Sequence, residues 1–316
     1  MGVAQEPQQP NKAARGPARK VIMLASLLLV LVAGVWLSYR YWISLRSLGD
    51  ESTNIVFIGV DTPLWEQAED GESTTGYASA FGQYGYKADA VFVGTIHPLR
   101  KSSHLLALPA DLLVTLPDGS EGKLNAVFAA GGVPAVERVV EELLGIPVHY
   151  YVLIDYTGFT ELVDAIGGVD VDVATPIRYY DKGKLVFELE EGVQRLLGSE
   201  ALHYVRYRRE TESDLGRLER QKELIMSLAD ELCQAARFTQ LPKLARYMEE
   251  LVDTNLRWED GLRMATILLR QKALGIDVTT LPVRETETGY LPEPEAIEEV
   301  VRHLFHNPSW RKLRHW

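Results

Sequence analysis

Between Tyr204 and Gln221 the sequence reads YVRYRRETESDLGRLERQ, with five arginines, no lysine and four acids. Arginine offers a rigid, permanently charged fork that matches a carboxylate or a phosphate, whereas lysine is a mobile point charge. Two periodicities run through the stretch. HYVRYR, from His203 to Arg208, alternates with period two, so as an extended strand it would set Arg206 and Arg208 on one face. From Ser213 or Asp214, either of which can cap it, a helix is expected, with Arg217 and Gln221 four residues apart on one side. Leu218, Ile225, Leu228 and Leu232 would pack that helix. Arg206, Arg208, Arg217 and Gln221 could then converge on one anion. The alternative is a surface ion-pair array in which the same arginines meet Glu210, Glu212 and Glu219.

Three aspartates could complete such a site. Asp61 ends the apolar run NIVFIGVD, Asp89 precedes AVFVGTIHP, and Asp111 ends SHLLALPAD. Each taken alone is a loop or turn residue, but sheet ends are where α/β folds place ligands. Carboxylates are hard oxygen ligands that suit Mg²⁺, which binds substrate phosphates while keeping several waters. Other chemistries find no support, since the chain has no HExxH, GxxxxGK, GxGxxG or GxSxG. The seven histidines show no ligand spacing, and His97, His149 and His203 are expected to be structural. The single cysteine, Cys233, excludes an intrachain disulfide and any zinc cluster of thiols, and it is expected to be a small packing residue.

The elements that must position these residues alternate between strand and helix. Asn54–Asp61, Ala90–Pro98 and Ser103–Asp111 read as strands, the last two joined by a connector short enough for a hairpin. PAVERVVEELL reads as a helix opened by Pro134 and closed by Gly145. HYYVLID is a strand, YTGFTELVDAIGG a helix, and VDVDVA alternates with period two. LPKLARYMEELVDTNLRWEDGLRMATILLRQ is expected to be helical, VTTLPV a last strand and EPEAIEEVVRHLF a last helix. The implied fold is an α/β/α sandwich with a central mixed β-sheet, with no linker dividing residues 54–305.

The first residues pose a separate problem. Val21–Tyr39 is 19 residues without a charge, long enough to cross a bilayer core. Residues 1–20 carry four bases against one acid, and such flanks stay in the cytoplasm. The expected organisation is a cytoplasmic tail (1–20), a single N-terminal transmembrane helix (21–43), a linker (44–53), an extracytoplasmic domain (54–305) and a C-terminal tail (306–316). Net charge is −11, and the chain outside the basic tail is more acidic still, which argues against nucleic acid as a partner. An arginine-dense stretch in an acidic ectodomain points to a specific anionic ligand.

The order and spacing of NIVFIGVD, KADAVFVGTI, LPAD, GKLNAVFAAGG, LLGIPVHYYVLIDYTGFTELVDAIGGVDVDV, GSEALHYVRYR and DLGRLERQ resemble the LytR-CpsA-Psr family of bacterial envelope proteins. The resemblance spans about Asn54 to Phe305. It implies a phosphotransferase outside the cytoplasmic membrane that moves a glycopolymer from a polyprenyl-pyrophosphate carrier onto peptidoglycan or another envelope acceptor. By motif position, Lys87, Arg206, Arg208, Arg217 and Gln221 would bind the pyrophosphate. Asp89 and Asp61 would hold Mg²⁺, and Asp89 and Asp111 would be catalytic. Arg209 and Arg220 fall to surface or packing roles. Two positions depart from the family pattern, which has arginine where this chain has Lys87 and Ala110. The departures leave a second reading open, a transfer-deficient polyprenyl-pyrophosphate binder acting as sensor or scaffold, unless a cation such as Lys123 replaces the one missing at Ala110.

Overall fold

The computed structural model describes residues 52–61, 86–97, 102–182, 184–208, 214–237, 251–271 and 277–305. Residues 50–316 form one compact unit. The tail, the Val21–Tyr39 run and Arg209 lie outside the described residues, as does the Cys233 side chain. Among the described residues no helix is long and apolar enough to cross a membrane.

In chain order the strands of the first half are β1 (Thr53–Val60), β2 (Ala88–His97), β3 (Ser102–Leu108), β4 (Leu113–Thr115) and β5 (Glu121–Lys123). Helix α1 (Leu124–Leu144), β6 (Tyr150–Asp155), α2 (Tyr156–Ala165), β7 (Val169–Val173), β8 (Ile177–Asp181), β9 (Lys184–Leu189) and β10 (Gly192–Leu196) follow. Then come α3 (Gly198–Arg206), α4 (Asp214–Arg237), β11 (Asp253–Thr254), α5 (Trp258–Gln271), β12 (Asp277–Thr280), β13 (Val283–Glu285), β14 (Tyr290–Pro292) and α6 (Pro294–Phe305).

The central sheet has six strands in the order β11-β6-β1-β2-β3-β12. It is mixed: β1 pairs β6 in parallel and β2 antiparallel, β2 and β3 form the expected hairpin, and β12 joins β3 in parallel. Alternation sorts the side chains to two faces. Val56, Ile58, Val91, Val93, Leu106 and Leu108 pack with α1 and α6. Phe92, Leu105 and Ala107 pack with Leu218 and Ile225 of α4. Helices therefore cover both faces, as an α/β/α sandwich requires. A smaller core gathers the inward valines of β7 with Phe187, Leu196, Tyr204 and Leu224, which makes the period-two pattern of VDVDV a half-buried strand.

Three local expectations need correction. HYVRYR is not a strand: its first four residues are the last turn of α3, which ends at Arg206. Its alternation is the short-range shadow of a helical stripe, with Ala201 and Tyr204 buried three apart. His203 is accordingly helical, tilted against Phe187 at 5.2 Å between ring centroids. The helix expected from Pro134 starts earlier, at Leu124, with non-helical backbone at Gly131 and Gly132 before Pro134 resumes it. Of the long helix expected over 241–271, residues 241–250 lie outside the described residues, and beyond Leu251 the chain forms β11, which pairs with β6, before α5 begins.

Candidate active site

The strand directions bring the three aspartates to one edge of the sheet. Asp61 follows the end of β1, Asp89 lies at the start of antiparallel β2, and Asp111 follows β3. A bulge sharpens the placement of Asp89. Gly59 pairs with Ala90 and the next residue, Val60, pairs with Ala88, so Asp89 is the residue left without a partner. Bulges re-aim the side chain they carry. Asp111 is fixed by its neighbours: Asn125 N–H donates to the Ala110 carbonyl at 2.9 Å, and Tyr290 N–H to the Asp111 carbonyl at 3.1 Å. Gly289 allows that approach, since a Cβ there would stand 2.5 Å from the Asp111 carbonyl oxygen.

The arginines arrive from two helices rather than from a strand and a helix. Helix α3 is held against α2 by Gly198, where a Cβ would collide with the Thr160 backbone. Its last residue, Arg206, lies with its guanidinium carbon 4.4 Å from the centre of the Tyr156 ring. Arg208, just past the helix, and Arg217 on α4 both reach Asp214 Oδ1, each at 2.8 Å. Burial pushes the Asp214 carboxyl up; Arg217 and Arg208 draw it down, and Asp111 and Asp89 push it up again. Asp111 and Asp89 at the sheet edge therefore lie near enough to Asp214 to act on its charge. Arg217 and Gln221 are buried on the same face of α4, and Arg217 Nε is a buried donor without a hydrogen-bond acceptor. A buried, charged, unspent donor is costly unless an anion arrives.

Asp111 has a cation beside it. Lys123 Nζ is 3.3 Å from Asp111 Oδ1, and Asn125 Nδ2 donates to the same oxygen at 3.5 Å. Ala110, the residue before Asp111, is buried at 3% exposure. Lys87 is exposed at the entrance to β2, and no ion pair among the described residues holds it. Of the surface-array alternative, only the Glu219 part falls on described residues. Glu219 pairs with Lys222 rather than with a site arginine, while Glu210 and Glu212 lie outside the described residues. Arg220 packs over Tyr207 and donates to its carbonyl, the role expected of it.

Two site residues escape the sequence reading, Tyr156 and Asp214 as a counter-charge. Tyr156 donates to Asp89 Oδ2 at 2.7 Å. Burial, then the bond to Asp89, pushes its hydroxyl far above the ordinary tyrosine range, with Asp61 adding in the same direction. The signal available for Asp214 was its spacing of three from Arg217 on a helix. Tyr156 had no such signal, because its partners lie 50 or more residues away. On an adjacent flank of α4 there is a recess of about 510 Å³, lined by Val173, Ile177, Met226 and Val278 together with the charged residues Glu219, Arg220, Lys222 and Glu223. Gly216 lines it, but none of the acidic or arginine residues of the site does.

The chain is similar to several known proteins. The polyisoprenyl-teichoic acid–peptidoglycan teichoic acid transferase TagV of Bacillus subtilis is 29% identical over 319 residues, 92% of this chain and 80% of that protein. The TagU transferase of the same description from Halalkalibacterium halodurans is 32% identical over 68% of this chain and 70% of its own length. The crystal structure of B. subtilis TagV superposes with a TM-score of 0.65 over 81% of this chain and 96% of that one, at 28% identity. A structure of TagT bound to LI-WTA does so with a TM-score of 0.60 over 82% and 92%, at 25% identity. The LytR_cpsA_psr family model matches residues 40–304, so the chain belongs to the LytR_cpsA_psr family.

Proposed function

We propose that this protein is a membrane-anchored phosphotransferase that moves a glycopolymer from a polyprenyl-pyrophosphate carrier to a cell-wall acceptor such as peptidoglycan. The observation that carries the reading is the buried Arg217, its Nε unspent, gathered with Arg208 by Asp214 at the edge that holds Asp89 and Asp111. The relatives TagV and TagU are named as teichoic acid transferases to peptidoglycan, and TagT has been captured with LI-WTA. A wall glycopolymer is the substrate class these relatives support.

In this reading Arg206, Arg208, Arg217, Gln221 and Lys87 bind the pyrophosphate. The acceptor hydroxyl attacks the phosphorus of the sugar-linked phosphate. A new P–O bond forms as the bond to polyprenyl phosphate breaks, and the proton passes to a site carboxylate, Asp111 being the candidate. Lys123 and Asn125 hold Asp111 Oδ1, which leaves Oδ2 to the acceptor. Lys123 also supplies a cation where Ala110 has none, and this favours a working transferase over the binder that has lost transfer. In phosphoryl transfer such positioned charges carry most of the catalysis.

Asp89 and Asp61 would hold Mg²⁺, which when bound spreads the charge of the pyrophosphate. Among the described residues no three acidic, histidine or cysteine side chains form a metal cage. Mg²⁺ needs none, since it takes one or two carboxylates and fills its shell with water and phosphate oxygens. The test is release of polyprenyl phosphate with Mg²⁺ and an oligosaccharide acceptor. Wild type is expected to turn over and Asp89→Ala to fall by about 10²–10³-fold or more. A silent wild type that still retains lipid, across several acceptors, would overturn the transferase. The anchor is tested with protease on intact spheroplasts: digestion of the domain with residues 1–20 spared is expected, and protection of the domain until permeabilisation would reverse the orientation.

A further inference from the structure

We propose that Tyr156 is a positioning residue that sets the acidic and basic halves of the site at a fixed spacing, its hydroxyl holding Asp89 and its ring carrying Arg206. The proposal rests on the transferase reading for its consequences in turnover, but its geometry stands apart from that reading.

The backbone makes Tyr156 a rigid post. Asp155 is 1% exposed and accepts from Gly158 N–H at 2.6 Å, which caps α2 and fixes the helix start at Tyr156. Asp155 is also the last residue of β6 in register with β1, opposite Val60, and Val60 in turn pairs with Ala88. Tyr156 and the bulged Asp89 therefore stand on either side of β1 at the same edge. The hydroxyl closes that gap with a 2.7 Å bond to Asp89 Oδ2, and a bulged residue has lost the ladder pairing that would otherwise hold it.

The ring serves the other half. Arg206 is exposed and has no ion pair among the described residues, so the 4.4 Å stacking on Tyr156 is the contact that sets its guanidinium. Cation–π contact favours a fixed distance without neutralising the cation. The guanidinium edge thus keeps its donors for a phosphate, whereas Arg208 and Arg217 are already engaged by Asp214.

The two halves separate chemically. Tyr156→Phe removes the hydroxyl and keeps the ring, whereas Tyr156→Leu removes both. The experiment uses full-length protein in detergent with polyprenyl pyrophosphate as probe. Three readings are taken for each variant: lipid affinity in EDTA, the gain in that affinity on titrating Mg²⁺, and kcat and KM for transfer. For Tyr156→Phe the expected result is unchanged affinity in EDTA, a Mg²⁺ gain reduced severalfold, and about a tenfold lower kcat with KM little changed. For Tyr156→Leu, affinity in EDTA also falls by about two- to fivefold, the worth of an exposed cation–π contact. Equal EDTA affinities for the Phe and Leu variants would overturn the ring's role. A wild-type Mg²⁺ gain in Tyr156→Phe would overturn the hydroxyl's. Losses that track thermal stability, with kcat and KM affected alike, would make Tyr156 merely structural and sink the proposal. If wild type binds lipid but never transfers, the transferase reading fails while the two affinity readings still decide Tyr156.

Discussion

The β2–β3 hairpin carries titratable clusters at both of its ends, and they are built on opposite plans. At one end Asp89 and Asp111 face Lys123, Asp214 and the arginines. At the other, His97, His104 and His303 meet edge to edge, with ring centroids 6.2 Å apart from His97 to His104 and from His104 to His303. His97 Nε2 lies 2.8 Å from the Leu304 carbonyl, and Asp277 Oδ2 is 3.6 Å from His104 Nδ1. Burial lowers the His104 pKa; Asp277 opposes this, and His97 and His303 add to it. At the imidazole end the part-buried His104 can meet burial by favouring its neutral form. The carboxylate end cannot, because arginine keeps its charge at any accessible pH. It retains charge that its own residues do not fully engage, and that surplus is what a pyrophosphate would complete. A cluster of titratable side chains marks a ligand site only where the fold leaves charge uncompensated.

The strongest way to break this contrast is to remove the counter-charge. Asp214→Ala removes the carboxylate that pairs with Arg217, which has 8% of its side chain exposed, and should destabilise the protein by about 3–5 kcal/mol in urea unfolding. Polyprenyl pyrophosphate should recover part of that loss. A cost below about 1 kcal/mol would show that the arginines do not depend on Asp214.

Next in size are the cations around Asp111. Lys123→Met should lower turnover by about 10²-fold while lipid retention holds, because the lost charge lies beside Asp111, the carboxylate proposed to take the acceptor proton. Ala110→Arg in the wild-type background should change turnover little or reduce it, since Ala110 is buried and Lys123 already occupies the neighbourhood of Asp111. A large gain from Ala110→Arg would mean that Lys123 does not serve in its place.

The smallest effect belongs to the imidazole end and concerns pH. Folded His104 resists protonation, whereas in the unfolded chain it protonates near the ordinary value of 6.5. The unfolded state then binds more protons, so stability falls as pH drops below about 6.5 and levels off below the folded-state value. Urea midpoints at pH 7.5 and 5.5 should show that drop in wild type and a shallower one in His104→Leu. An equal slope in both would assign the dependence to other groups.

Much of the molecule was legible in its residues, and the failures share a cause. Continuous apolar runs at Asn54–Asp61 and Ser103–Asp111 specify buried strands, because a sheet covered on both faces admits apolar side chains on either side. The glycine at position 145, in the left-handed region at φ 63°, stops α1 where its sequence pattern stops. HYVRYR went wrong because six residues cannot separate a period of two from one of 3.6, and the packing of Tyr204 against the second core decides between them. Arg206 and Arg208 still reach the site, by a different route from the strand that the pattern suggested.

The sequence by itself determined which charges the site would own: three aspartates at strand ends, and arginines whose forks fit an anion. Those are properties of residue type and of short-range spacing, which the chain carries before it folds. Tertiary structure decided which charges oppose one another. The bulge at Asp89, the stacking of Arg206 on Tyr156, the pairing of two arginines on Asp214 and the approach of Lys123 to Asp111 all join residues whose contact depends on sheet register or helix packing. Electrostatic energy falls with distance through a dielectric that burial itself changes, so those partnerships acquire their values only once the surrounding core has excluded water.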